Sequence, residues 1–328
     1  MTRTLPQSPR PAPRLRRAQR QAQASGVQRL RWRLEAGAVQ VLLALLRGRR
    51  HGTVQRAIQR AVGLGRPLLA GRLATAEANL ERVYGPALPP AARQRLARRS
   101  LENFFLSCLE SIIEPVAPQR IRVEGDGLAA LLGRRPGQGV IIGSLHLGCW
   151  DLGLRWLSEQ LDDLAVIYRP AHNPEADRLL NAARSANSRC RWISQFDRRA
   201  MLTCLHRGGA LVVMTDLYGG RNALLLDVLG LDTQVAAGPV NLSQRTGTAL
   251  FPVAHVREPD GSFRLICGTP LQPQPGAAGL QQQAQALCDW QEPWIQAYAA
   301  QYYWIHRRWR PGDGSGRRRR QLPPPRLH

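Results

Sequence analysis

The chain contains no lysine. All 46 basic residues are arginine, against 23 acidic ones among 328, which leaves a net charge of +23 at neutral pH. The missing lysine is a compositional bias and carries no functional reading. The excess of charge does: it selects anionic partners, such as nucleic acid, an anionic membrane surface, a phosphorylated substrate or an acidic carrier protein. Acid is also missing from the start, where Glu35 is the first carboxylate. The six cysteines (Cys108, Cys149, Cys190, Cys204, Cys267 and Cys288) form no CxxC pair and no metal-ligand spacing. That argues against a disulfide framework and points to a reducing compartment. No apolar run reaches the roughly 20 residues that span a bilayer. Ala36 to Leu46 comes nearest, with Gln40 inside it, and no signal-peptide cleavage site is evident. There is no nucleotide-binding glycine loop and no metal cluster, so neither a cofactor nor a metal is expected.

What is present divides the chain. At 44% hydrophobic it can bury one large core or two small ones. Residues 1–34 carry Arg3, Arg10, Arg14, Arg16, Arg17, Arg20, Arg29, Arg31 and Arg33 among several prolines, and are expected to be a disordered basic arm. Residues 35–115 read as a helical, membrane-associating region. A basic arm, a short apolar helix and then Arg47, Arg49 and Arg50 suit an interfacial anchor, although a plain core helix behind a tail would look the same. Residues 116–311 alternate short apolar runs with helical stretches, the pattern of an α/β fold with a mixed, mostly parallel central sheet. Strands are expected at 140–143, 164–168, 190–193, 210–214, 249–256 and 263–267. Helices are expected at 149–161, 174–187, 198–207, 239–245 and 280–301. Residues 312–328, rich in Gly, Ser, Arg and Pro, read as a second disordered basic tail.

The chemistry gathers at the first of these strands. Val140 to Ile142 are a buried, β-branched run. Trp150, Leu154, Leu157 and Leu161 then share one helical face. Between them lie His146, an imidazole suited to taking a proton near neutral pH, and Asp151, in the first turn of the helix. From there a carboxylate could reach the other ring nitrogen and fix the tautomer. The bland alternative is a hydrogen bond that ties a loop to a helix. In an open α/β sheet, ligands sit beyond the carboxyl ends of strands. Arg169 follows the second strand, between Tyr168 and Pro170, and could hold a phosphate or an oxyanion. Asp216 follows the fourth and could orient an arginine or a substrate hydroxyl. Tyr302 to Arg310 interleaves aromatics and arginines, which could stack on bases or sit at a membrane interface.

Taken together, these residues resemble a family. His146-Leu147-Gly148-Cys149-Trp150-Asp151 is similar to the H-x-G-N-W-E/D block of the bacterial lipid A late acyltransferases, the lauroyl and myristoyl transferases. Tyr168-Arg169-Pro170 with Asn173-Pro174, Asp177 and Arg184 resembles their second block. Gly209 to Asp216 with Leu229-Gly230, and Gly238 to Pro252, resemble the third and its continuation. Trp304-Ile305-His306-Arg307-Arg308 resembles the W-x-H-R-R ending. Cys149 stands where the family usually has asparagine, and Asp151 where the lipid A enzymes mostly have glutamate. The resemblance implies transfer of a fatty acyl chain from acyl carrier protein, or acyl-CoA, to a hydroxyl of a phosphorylated glycolipid at the cytoplasmic face of the inner membrane. It carries His146 over as general base and Asp151 as its orienter. Arg169, Asp216, Tyr168, Asn173, His306 and Arg307 become substrate-binding candidates. Another membrane glycolipid or phospholipid as acceptor, and a catalytically silent lipid-binding homologue, remain open. So do a Cys-His thioesterase using Cys149 and, without any recognised motif to support it, a nucleic-acid binder.

Overall fold

The computed structural model describes residues 24–46, 48–110, 120–186, 188–220, 223–310 and 314–326. Four helices come first: α1 (Gly26–Leu46), α2 (His51–Leu64), α3 (Arg66–Tyr84) and α4 (Pro90–Glu110). Then follow β1 (Ile121–Glu124), α5 (Leu128–Leu132), β2 (Val140–Ser144), α6 (Trp150–Gln160), β3 (Leu164–Tyr168), α7 (Pro174–Ser185), β4 (Arg191–Ser194), α8 (Arg198–His206) and β5 (Ala210–Met214). The chain continues through β6 (Ala223–Val228), β7 (Leu231–Ala236), α9 (Gly238–Thr246), β8 (Leu250–Arg257), β9 (Phe263–Cys267) and α10 (Gly276–Ala297).

Seven strands form one sheet in the order β1-β9-β8-β2-β5-β3-β4. Every pairing is parallel except β8 with β9. The α/β class and the mostly parallel sheet are therefore as the alternating pattern predicts. β2 lies at the centre with both faces buried, so its run is apolar without alternation. Ile141 packs into one apolar cluster, together with Leu80, Leu101 and Trp304, while Val140 and Ile142 pack into another with Trp150 and Leu157. The N-terminal helices thus share a core with the sheet.

Three strands escape the sequence pattern: β1, β6 and β7. The last two form a separate antiparallel hairpin. Its turn places Leu229 and Gly230 at φ +54° and +72°, the left-handed pair that a two-residue hairpin loop requires.

Both ends depart from the expected disorder. α1 starts at Gly26, inside the stretch read as a basic arm, while residues 1–23 lie outside the described ones. Trp32 and Ala36 of α1 are buried. Residues 314–326 fold back over the hairpin. Arg317 and Arg319 both pair with the buried carboxylate of Asp232, Arg320 pairs with Glu292, and Leu322 is buried. The tail's arginines are ordered by carboxylates far away in sequence, a tertiary effect that composition cannot reveal.

Candidate active site

β2 and β5 are neighbours in register, with Ser144 opposite Met214. Each strand runs two residues past that pair to a polar group, His146 on one and Asp216 on the other. The Asp216 carboxylate grips His146 twice: Oδ1 lies 2.8 Å from the ring Nδ1, and Oδ2 accepts from the backbone N–H at 2.9 Å. Asp216 is fully buried. Burial alone would raise its pKa, but His146 and the buried Arg308 outweigh it and hold the carboxyl below its ordinary range. An ionised Asp216 makes Nδ1 the donor and leaves Nε2 as the ring's basic nitrogen. The His146 side chain keeps 19% of its surface exposed. Trp150 meets its ring edge-on at 5.4 Å, and Tyr303 lies tilted at 5.4 Å on another side.

This corrects the local reading of the motif. Asp151 does not touch the His146 ring. It is buried in the first turn of α6 and points the other way, with Oδ2 at 3.3 Å from Nε of Arg184 on α7. Arg184 in turn lies over the Trp192 ring at 5.4 Å. A spacing of five on a strand–loop–helix junction does not bring the two side chains together, whereas the strand register does so for residues seventy apart.

The loop between His146 and α6 is held from several sides. Gly148 has φ +60°, and a Cβ there would lie 2.1 Å from the His255 carbonyl oxygen. Its own carbonyl accepts from Ser107 of α4 and from the Arg257 guanidinium, the latter at 3.2 Å. Leu147 bridges to Tyr302. The C-terminal aromatic block is thereby laid along this loop, and α3 and α4 hold it there. Asn79 donates to the carbonyls of Trp304 and His306 at 2.7 Å each, and Ser100 accepts from the Trp304 N–H. Beneath the loop, His255 is fully buried against Ser144, and burial pushes its pKa down to about 3.

The other candidates separate. Arg169 is exposed just beyond β3, on the far side of β5 from His146. Tyr168 is half-buried against Trp192, with the rings edge-to-face at 6.0 Å. Asn173 is a structural residue. Its Oδ1 caps α7 by accepting from Glu175 and Ala176, and its Nδ2 donates to Trp32 and Glu35 of α1. All its hydrogen-bonding capacity is engaged within the chain, which removes it from substrate contact. His306 stacks on Tyr303 and accepts from the Tyr218 N–H at 3.2 Å; burial lowers its pKa to about 4. Arg307 is exposed, while Arg308 is buried and donates to the Tyr302 hydroxyl. Cys149 is buried, with Sγ toward the Val256 carbonyl at 3.6 Å, and so is no accessible nucleophile. Sequence reasoning did not find Arg308 or Tyr303 as site residues, though both lie in the block it singled out. Among the described residues no group of three or more His, Cys, Asp and Glu side chains is placed to hold a metal ion.

An imidazole oriented by a buried carboxylate and partly exposed at the carboxyl edge of a parallel sheet can accept a proton from a hydroxyl through its other nitrogen. The chain is 24% identical over 244 residues to a lipid A biosynthesis lauroyltransferase of Escherichia coli (strain K12), an alignment covering 71% of this chain and 77% of that protein. The model of the bacterial lipid A biosynthesis acyltransferases matches residues 38–311, so the chain belongs to that acyltransferase family.

Proposed function

We propose that the protein moves a fatty acyl chain from a thioester on acyl carrier protein to a hydroxyl of a lipid A-type phosphorylated glycolipid. His146 is the general base. Nε2 takes the acceptor's hydroxyl proton as the oxygen attacks the thioester carbonyl. The tetrahedral intermediate collapses with loss of the thiolate, and the imidazolium returns its proton to that sulfur. One C–O bond forms, one C–S bond breaks, and an ester and a free thiol leave. Asp216 holds the ring in the correct tautomer and stabilises the imidazolium. The buried Arg308 keeps Asp216 ionised. Arg169 and Arg307 are exposed, and their guanidiniums are available to an acceptor phosphate. Asp151 holds α6 to α7 through Arg184 and acts on the imidazole only at a distance.

The observation that carries this reading is the double grip of Asp216 on His146. Replacing His146 by alanine in the purified protein, and following acyl transfer from acyl carrier protein by product mass, tests it. Transfer should vanish while the fold persists; retained turnover rejects the base. The mass gained by membrane lipids in cells holding the protein identifies acceptor and chain length, and a phospholipid product or an acyl-CoA donor would redirect the assignment.

Work at the cytoplasmic face of the inner membrane is part of the same proposal. Val27, Leu30, Leu34, Val41 and Leu45 are exposed on α1, and helical geometry puts them on one face. Arg31 borders that face, and Arg33 and Arg29 lie farther round the helix. No described helix is long and apolar enough to cross a membrane. Such a helix suits lying in the interface, with arginines at the lipid phosphates.

A further inference from the structure

We propose that the groove between α2 and α4 is the docking surface for the acidic carrier that delivers the acyl thioester. The inference rests on the thioester reading above. The groove is lined by Arg56, Gln59, Arg60, Gly63 and Leu64 on one bank and Arg98 on the other. Arg56 and Arg60 stand one turn apart, so both present to the same side of α2. Arg98 reaches across, with Nη2 at 3.4 Å from the Gln59 carbonyl, and Nε pairs with Glu102 at 2.8 Å. Gly63 faces the Arg98 guanidinium, where a Cβ would sit at an ordinary contact distance of 3.5 Å. Among the described residues, no carboxylate pairs with Arg56 or Arg60. Leu64 in the groove lining is 86% exposed.

Arg56 and Arg60, with no paired carboxylate among the described residues, beside the uncovered Leu64 match an acidic helix carrying an apolar side chain. The balance is opposite on α1, where the uncovered surface is mainly apolar and suits a bilayer. Position supports the assignment as well. Arg98 precedes Phe104 by six residues on the same helix, about 9 Å along its axis. Phe104 stacks on Tyr303 at 4.7 Å, and Tyr303 lies 5.4 Å from the His146 ring. A carrier seated in the groove therefore stands close enough for a flexible thioester arm to follow the aromatic wall to the imidazole.

The test is the double charge reversal Arg56→Glu with Arg60→Glu in the full chain. Both residues are exposed and outside the catalytic machinery, so the variant should fold, as a thermal melt will show. Kinetics are measured with acyl carrier protein thioester over a range of salt, and binding of the unacylated carrier is measured directly. Anionic vesicles of phosphatidylglycerol and phosphatidylethanolamine serve as the lipid probe. KM for the carrier-bound donor should rise at least about tenfold with kcat within about twofold, carrier binding should weaken in parallel, and the wild-type salt dependence should flatten. Unchanged KM and carrier affinity would overturn the proposal. Loss of vesicle binding with KM unchanged would overturn it too, and assign the groove to lipid. In either case the acyltransfer reading stands or falls separately on His146→Ala.

Discussion

The two oxygens of Asp216 hold two different atoms of His146, the ring Nδ1 at 2.8 Å and the backbone nitrogen at 2.9 Å. One buried carboxylate thereby sets the position of the loop and the tautomer of the imidazole together. The consequence is a division of labour between the acidic residues near the site. Asp216→Asn is expected to lower kcat by about 100-fold or more, because an amide offers no charge to the imidazolium and permits the wrong tautomer. Asp151→Asn should leave the pH profile of kcat unchanged in shape and weaken thermal stability instead. Profiles of both variants between pH 5 and 9 check this. A shifted profile in Asp151→Asn with a normal one in Asp216→Asn would reverse the assignment.

Cys149→Ser should keep most of the activity. The thiol is buried against the Val256 carbonyl, and a serine hydroxyl can make the same contact. A variant that folds and is inactive would revive a covalent mechanism through this sulfur.

Gly153→Ala should be severe. An added Cβ would stand 1.8 Å from the Nδ1 of His255, and that ring is fully buried, with Nε2 at 3.1 Å from the Ser144 hydroxyl. A loss of about 3 kcal/mol is expected from overpacking at such a position. Urea denaturation measures it, and a midpoint like that of the wild type would show that the ring can move.

Acid should destabilise the protein before its carboxylates titrate. His255 is held neutral in the fold down to about pH 3 but titrates at its ordinary value of 6.5 once unfolded. Between those values the unfolded chain binds the extra proton, so stability is complete above pH 6.5 and falls as pH drops below it. The slope for one such group is about 1.4 kcal/mol per pH unit, or roughly 2 kcal/mol by pH 5. His306, lowered to about 4 by partial burial, adds in the same direction. Urea midpoints at pH 7.5 and 5 test this: equal midpoints would mean that both rings take up protons while folded.

Deleting residues 1–46 should release the protein from anionic vesicles, since that segment carries both the exposed apolar stripe and nine arginines. Vesicle sedimentation at low and high salt is the measurement, and unchanged binding would place the membrane contact elsewhere.

The parts legible in the sequence were those written locally. β2 is a β-branched run, and Asn173-Pro174 is a cap followed by a proline at the first helical position, which the structure shows as the start of α7. His146 at the strand end could be picked out for the same reason. Its partner could not. Asp216 was visible as a polar strand end, but its pairing depends on β2 and β5 lying side by side, a long-range register absent from any spacing. The nearer carboxylate, Asp151, drew the assignment because it is close in sequence. β1 has four residues, with only one face partly covered, too short for periodicity to declare itself. The tail reads as disordered because Gly, Ser, Arg and Pro bury little; its order comes from Asp232 and Glu292, whose positions only the fold reveals.

That tail bears on how the molecule is made. Asp232 belongs to the hairpin, yet its counter-charges, Arg317 and Arg319, leave the ribosome some eighty-five residues later. During synthesis the hairpin must wait with a carboxylate that no early segment neutralises. The Leu231–Arg318 bridge and the Arg318 contacts to the Arg82 and Val83 carbonyls of α3 then join the first third of the chain to the last. Closure of the hairpin over the core therefore waits until the tail has been made, and a ribosome-stalled chain ending before Arg317 would present an unfinished wall beside an otherwise assembled sheet.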